Sequence, residues 1–288
     1  MIVIPGPASQ TLGVKVARIL NSEVVNVSFK DFPDGETYVR LEGDVRDKDA
    51  LLIQSTYNPQ DKNLMQLFLL INAVRSMGAA NLRIVIPYLA YARQDKQFKS
   101  GEPLSIKVII SILERLGVDE VYTIDIHEPK VLKHFNIRSI DLSAMSLFGE
   151  YFKKMGLKNP LVIAPDDGAI HRAEAVSRVL GSDYISFEKF RDKDTGEITM
   201  EYRKLDVEGR DTIIIDDIIS TGGTMIKTIQ MIKKQGGGEV FAAATHTILI
   251  GEAKSKILAA GATDIIGTDT VPGELSKVSV APLIADQF

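Results

Sequence analysis

The chain has 288 residues, of which 45% are apolar and 25% charged, with a net charge of −4. This is the composition of a soluble globular protein of about two domains, and a core of that size needs no covalent staples. The absence of cysteine excludes disulfides and thiolate metal sites and fits a reducing cytoplasm, and the negative balance argues against a general nucleic-acid binder that works by neutralising phosphates.

The opening MIVIPGPASQ has neither the basic start nor the apolar core of a signal peptide, and no apolar run approaches the roughly 20 residues of a spanning helix, so no membrane partner is expected. Ile2 to Ile4 reads as a strand, Gly6-Pro7 as a turn, and Ser9 as the cap of a helix through Leu20. Glu23 to Phe29 alternates as a strand. The turn signal Asp31 to Glu36 and the alternation Thr37 to Leu41 then predict a projecting hairpin. Ala50 to Gln54 reads as a buried strand, Asn63 to Met77 as a long helix and Leu82 to Pro87 as a strand. Ser105 to Leu116 follows as a helix and Glu120 to Asp125 as a strand. Such a βαβ series predicts a mostly parallel sheet flanked by helices.

After Asp141 the series restarts. Ala144 to Met155 is helical, Leu161 to Ala164 a strand, Ala169 to Leu180 a helix and Asp183 to Phe187 a strand. Glu188 to Gly196 is dense in charge and reads as a mobile loop or hairpin tip, with Ile198 to Tyr202 as the returning strand. Val240 to Thr245, a helix near Glu252 to Ala260 and Asp264 to Gly267 complete a second sheet. The expected domains are 1–142 and 143–288, with the tail 276–288 packing back on the first.

Everything in the second half leads to Asp211 to Met225, DTIIIDDIISTGGTM. Ile213 to Ile215 is the β-branched run of a buried strand, with Asp216 and Asp217 at its carboxyl end. Ser220-Thr221-Gly222-Gly223-Thr224 follows, then a helical pattern. In open α/β sheets ligands bind at the carboxyl ends of strands. Small residues let backbone N–H groups approach an anion, and a helix N-terminus adds positive potential. A phosphate on such a loop, beside two carboxylates that face hydroxyls or a metal, describes a sugar phosphate. An ordinary turn capped by Thr224 has no use for two adjacent acids that repel each other.

Four further constellations lie at predicted strand ends or in the charged segment. Arg93-Gln94-Asp95-Lys96 lies beyond one strand and Asp125-Ile126-His127-Glu128 beyond another, where His127 has the chemistry of a divalent-metal ligand. Pro165-Asp166-Asp167-Gly168 places two more acids ahead of a helix. Asp166 there suits magnesium, which takes few carboxylates together with substrate phosphates. Lys189 and Arg191, one residue apart on an extended backbone, point the same way and suit a closing loop that neutralises a transferring phosphoryl group.

The stretch 211–225 resembles the motif shared by type I phosphoribosyltransferases and ribose-phosphate diphosphokinases. The ordered series Phe32-Pro33-Asp34-Gly35-Glu36, Tyr91-Ala92-Arg93-Gln94-Asp95-Lys96, Asp125-Ile126-His127, Pro165-Asp166, Lys189-Phe190-Arg191 and Asp216-Asp217 through Thr224 resembles the diphosphokinases along essentially the whole chain. The short length is similar to archaeal members, and the chain departs from many members in having Ser220 in place of Asp.

The resemblance implies two tandem phosphoribosyltransferase type I-like α/β domains, each a mostly parallel sheet flanked by helices. It implies a cytoplasmic homo-oligomer, a dimer or an assembly of dimers, that transfers the diphosphoryl group of ATP, with Mg2+, to the 1-hydroxyl of ribose 5-phosphate. In that family pattern Phe32, Asp34 and Glu36 hold adenine from a hairpin that reaches a neighbouring subunit's site, and Arg93, Gln94 and His127 contact ATP. His127 and Asp166 hold the metal, and Lys189 and Arg191 are the catalytic loop cations. Asp216 and Asp217 take the ribose hydroxyls, and Ser220, Thr221, Gly222, Gly223 and Thr224 the 5-phosphate. A phosphoribosyltransferase would need one such domain and a hood over its base, which leaves the first βα series with Arg93-Gln94 unexplained. A non-catalytic partner would be expected to have lost Lys189, Arg191 or the Gly-rich loop, and all are present.

Overall fold

A computed structural model describes residues 1–97, 99–186 and 206–288, and the backbone alone of 189–191 and 198–200. The chain forms two compact units. The first holds 1–143, 269–272 and 279–288, and the second holds 144–268 and 273–278.

In the first unit the elements run β1 (Ile2–Pro5), α1 (Gln10–Ile19), β2 (Glu23–Val24), β3 (Asn26–Asp31), β4 (Thr37–Glu42), β5 (Asp49–Ile53), α2 (Gln60–Ser76), β6 (Asn81–Ile86), α3 (Ser105–Arg115), β7 (Glu120–Ile124) and β8 (Arg138–Leu142). Six strands form a parallel sheet in the order β2-β1-β5-β6-β7-β8. Successive side chains of a strand point to opposite faces. Ile2, Ile4, Ala50, Leu52, Leu82, Ile84 and Ile86 therefore share one face, where they form a core with Leu67, Leu70, Ile71 and Val74 of α2 and Ile106, Ile110 and Leu113 of α3. Val3, Leu51, Ile53 and Val85 point the other way and are also fully buried. Burial on both faces is why these strands read as continuous apolar runs rather than as alternation.

The expected strand Glu23 to Phe29 is two strands. β2 pairs with β1 in the main sheet, the Val25 N–H donates to the Val3 carbonyl at 2.9 Å, and β3 then leaves to pair antiparallel with β4. Alternation continues through the break because both pieces are extended, so the pattern carries no mark of the change of partner. The hairpin rests on α2 through Lys62 Nζ to Asp31 (2.6 Å) and Gln66 Nε2 to Thr37 Oγ1 (3.0 Å). Ser9 stands at the N-cap of α1 without capping it, since its Oγ accepts the Ser55 N–H at 2.8 Å instead.

The second unit runs α4 (Met145–Met155), β9 (Leu161–Ala164), α5 (Ile170–Leu180), β10 (Asp183–Ser186), β11 (Lys189–Arg191), β12 (Ile198–Met200), β13 (Thr212–Ile219), α6 (Gly223–Lys234), β14 (Val240–Thr247), α7 (Ala253–Ala259), β15 (Asp264–Thr268) and β16 (Ser276–Val278). Its parallel sheet has the order β10-β9-β13-β14-β15-β16. Counted within each sheet, both orders read 2-1-3-4-5-6, and in both an antiparallel pair, β3–β4 or β11–β12, is inserted between the second and third strands. The last helix, α8 (Ala281–Ala285), belongs to the first unit and packs on α1, and the Phe288 ring meets Tyr122 edge-on at 5.0 Å.

Candidate functional site

β13 is longer than its isoleucine run suggests. It continues through the acids to Ile219, so Asp216 and Asp217 lie inside the strand, with Asp216 opposite Ala244 of β14, rather than beyond its end. The parallel ladder continues past the acids, with Ile218 opposite His246 and Ile219 opposite Thr247. The loop that follows is pinned by β14's exit, where the Leu249 and Ile250 N–H groups donate to the carbonyls of Ile219 and Ser220, both at 3.0 Å.

Helix α6 begins at Gly223, and its N-cap is Gly222 at φ 77°, not Thr224. A glycine cap carries no side-chain oxygen to accept the free N–H groups of the first turn, so these remain for an anion. The conformation and the space both require glycine at 222. It lies in the left-handed region, and an added Cβ would sit 2.9 Å from Ile257 Cδ1. At Gly223 the nearest atom to an added Cβ is Thr221 Oγ1 at 4.0 Å, so the space in front of the helix is open. Thr221 and Gly223 are exposed, and Ser220 and Thr224 are half-buried.

Of the acid pair, Asp217 is buried and Asp216 half-buried. Asp217 is 3% exposed, and Asp216 Oδ1 accepts the Asp217 N–H at 2.9 Å. Burial, and then the hydrogen bond and charge of Asp217, push the Asp216 carboxyl up to about 8, while Arg172 pulls it down. Without ligand the pair thus holds a proton near neutrality, as adjacent carboxylates do when water is excluded. Such a pair has the acceptor capacity to take hydrogen bonds from two hydroxyl groups.

Arg172 of α5 lies against this pair, and no sequence motif singled it out. Its Nη1 is 3.9 Å from Asp216 Oδ1 and its Nη2 is 3.6 Å from Asp217 Oδ1. Ala169, Ala173 and Val176 are buried around it, so Arg172 occupies an i, i+3, i+4, i+7 apolar stripe. A charge inside an apolar stripe was the one available signal. Asp166 follows β9 in extended conformation and is half-buried, ahead of a 3-10 turn at Asp167–Ala169. Lys189 and Arg191 both lie on β11, whose backbone pairs with β12, and their side chains lie outside the described residues.

In the first unit the loop between β5 and α2 holds the place that the loop Ser220 to Thr224 holds in the second. There Gln54, Ser55 and Thr56 are fully buried and committed. Thr56 Oγ1 donates to the Tyr88 carbonyl at 2.7 Å and accepts the Ala90 N–H at 2.8 Å. Ser55 Oγ accepts the Tyr88 N–H at 3.2 Å and donates to the Thr270 carbonyl at 2.7 Å. The hydroxyls that could meet a phosphate instead fix the segment leading to Arg93 and Gln94. Tyr91 takes φ 66° there, unusual for a bulky residue, and its hydroxyl bonds Asp61 Oδ1 at 2.5 Å. Arg93 is exposed, and Gln94 Oε1 accepts from Ser105 Oγ at 2.7 Å.

His127 is exposed on the loop after β7. Asp141 holds that loop, accepting from Thr123 Oγ1 at 2.7 Å and from the Ile126 N–H at 3.0 Å. At the hairpin tip the Phe32 N–H donates to the Glu36 carbonyl at 2.8 Å, and Asp34 Oδ1 accepts the Glu36 N–H at 3.2 Å. The Phe32 and Tyr38 rings meet edge-on at 6.3 Å, and Lys30 Nζ lies 4.8 Å from the Phe32 centroid. That is an exposed aromatic face with a cation beside it, suited to stacking a planar base.

Among the described residues no group of three or more His, Cys, Asp or Glu side chains stands ready for a metal, and no helix is long and apolar enough to cross a membrane. A site with a single carboxylate fits magnesium only when substrate phosphates complete its shell. The chain matches, over residues 1–117, a family model described as the N-terminal domain of ribose phosphate pyrophosphokinase, and over 136–272 one described as a phosphoribosyl transferase domain. It is 44% identical to a ribose-phosphate pyrophosphokinase of Methanosarcina mazei, over 99% of this chain and 94% of that one. It is 42% identical to one of Pyrococcus abyssi, over 99% and 97%. A solved phosphoribosylpyrophosphate synthetase of Mycobacterium smegmatis superposes with a TM-score of 0.86 at 29% identity, covering 100% of this chain and 96% of that one. Two phosphoribosyltransferase-type α/β domains in one chain, matched from end to end, make this protein a member of the ribose-phosphate pyrophosphokinase family.

Proposed function

We propose that the chain transfers the β,γ-diphosphoryl group of ATP to the 1-hydroxyl of ribose 5-phosphate, giving 5-phosphoribosyl 1-diphosphate and AMP. The observation that carries this reading is the loop of the second unit. There a glycine-capped helix with open N–H groups follows a strand that bears one buried and one half-buried carboxylate. The loop Ser220 to Thr224 takes the 5-phosphate, and Asp216 and Asp217 take the ribose hydroxyls and orient the anomeric hydroxyl. Phe32, Asp34, Glu36, Arg93, Gln94 and His127 take ATP.

Direct in-line attack of the 1-hydroxyl on the β-phosphorus, with AMP leaving, is the mechanism assigned, and catalysis is mostly positioning and charge neutralisation. Lys189 and Arg191 neutralise the charge that accumulates on the diphosphoryl oxygens. Asp166 and His127 are each assigned as residues that would hold magnesium together with substrate phosphates, and the ion would supply positive charge to the diphosphoryl oxygens. The exposed Phe29, Phe32 and Tyr38 of the hairpin support an assembly built from dimers, and the absence of cysteine supports a cytoplasmic setting.

The test is ³¹P NMR of the protein with MgATP and ribose 5-phosphate. AMP and a sugar diphosphate should appear together without ADP. ADP in place of AMP, or no turnover despite saturable ribose 5-phosphate binding, refutes diphosphoryl transfer.

A further inference from the structure

Arg172 is 5% exposed, a rare position for a charge. Its distances to Asp216 and Asp217, 3.9 and 3.6 Å, exceed a hydrogen bond, so it acts on the pair through charge rather than as a tight fork. Its Nη1 donates to the Gly168 carbonyl at 3.0 Å, which ties the same guanidinium to the turn that carries Asp166. Its buried Nε has no hydrogen-bond partner. An unsatisfied buried donor is costly, and a purely structural arginine would be expected to satisfy all its donors.

We infer that Arg172 is a positioning residue for ribose 5-phosphate, a guanidinium held beside the acid pair that lets both carboxylates carry charge, and aims them, once the arriving sugar hydroxyls replace the proton the pair otherwise holds. This rests on the assignment of ribose 5-phosphate to the loop of the second unit. When two hydroxyls donate to the pair, two like charges must coexist in a site closed to water. The guanidinium supplies the opposing charge, and its bond to the Gly168 carbonyl ties it to the turn that follows β9. A lysine here keeps the charge beside the pair but gives up the bond to the Gly168 carbonyl that the planar guanidinium makes at the same time.

The test uses the full chain with Arg172→Met and Arg172→Lys, with ribose 5-phosphate binding read by calorimetry and the KM of each substrate read by turnover. Arg172→Met should weaken ribose 5-phosphate about tenfold or more while the KM for ATP changes less than about twofold, and Arg172→Lys should recover most of the loss. Circular dichroism checks folding, and Arg172→Gln takes the place of the Met variant if that variant does not fold. Equal rises in both KM values, or a Lys variant no better than Met, would mean a merely structural role and overturn the inference. A wild-type chain that binds ribose 5-phosphate while the neutral variant binds it equally well overturns the inference and leaves the functional reading standing. A wild-type chain that binds no ribose 5-phosphate overturns both.

Discussion

The phosphate loop can be tested by two adjacent glycines that differ in what surrounds them. Gly222 has φ 77°, a backbone region that costs an L-residue about 1–2 kcal/mol. An added methyl would also sit 2.9 Å from Ile257 Cδ1 and 3.1 Å from Cγ1, and Ile257 is fully buried in the core of the second unit. Overpacking of that kind costs a further ~1–3 kcal/mol. Gly222→Ala should therefore lose about 2–5 kcal/mol, which lowers Tm by roughly 5–15 °C for a unit of this size. Gly223→Ala meets neither obstacle, since its φ is not positive and its nearest neighbour is 4.0 Å away. Its stability should stay within about 0.5 kcal/mol of the parent. That methyl fills the open space before the helix N-terminus, so Gly223→Ala should weaken ribose 5-phosphate about tenfold or more without unfolding anything. Scanning calorimetry measures the first effect and titration calorimetry the second. A Gly223→Ala protein with parental affinity would refute the close approach of phosphate to this turn, and a Gly222→Ala protein with parental Tm would refute the steric account.

Asp216 binds a proton in the native state up to about pH 8 that the unfolded chain releases above about pH 4, so it makes stability fall as pH rises between those values. Asp216→Asn should flatten that part of the Tm–pH curve, and an unchanged slope would contradict the raised carboxyl. Thr56→Val strands the buried Ala90 N–H and should cost about 1–3 kcal/mol in denaturant unfolding, with a rise in the KM for ATP because the segment leads to Arg93. If ATP affinity holds while stability drops, the segment does not serve nucleotide binding. Phe32→Ala removes a partly exposed ring, so Tm should hardly move while the KM for ATP rises; no change in that KM argues against base stacking. Lys189→Ala should lower kcat strongly with little change in KM, the sign of a contact made mainly in the transition state, and a large KM rise with kcat intact would contradict that role.

The elements whose limits the sequence marks well are those buried on both faces. Leu161 to Ala164 forms the strand its apolar run announces, and Glu120 to Ile124 comes within one residue of its expected span. The acid pair and Gly-rich loop were legible because their chemistry lies in consecutive residues. Three features were not. Alternation from Glu23 to Phe29 runs through a change of sheet, because period two reports extension and says nothing of which strand is the partner. The helix cap is Gly222, outside the Thr224-capped turn that the sequence offered only as the lesser alternative, since where a helix starts depends on backbone angles that several small residues can adopt. Ser9 reads as a cap by type, but Ser55, forty-six positions away, takes its oxygen.

Sequence alone determined the parallel α/β character, the hairpin after the second strand, and the residue types proposed to meet sugar, phosphate and nucleotide. These follow from periodicity and from local motifs. Only the tertiary structure decided that Ser55 and Thr56 are locked away where the second unit leaves its loop open, and that Arg172 stands beside Asp216 and Asp217. It also decided that the Asp216 carboxyl is raised to about 8. The physical reason is that charge and hydrogen-bonding capacity are written into each residue, while burial and the identity of the neighbour arise only when segments far apart in the chain are packed together.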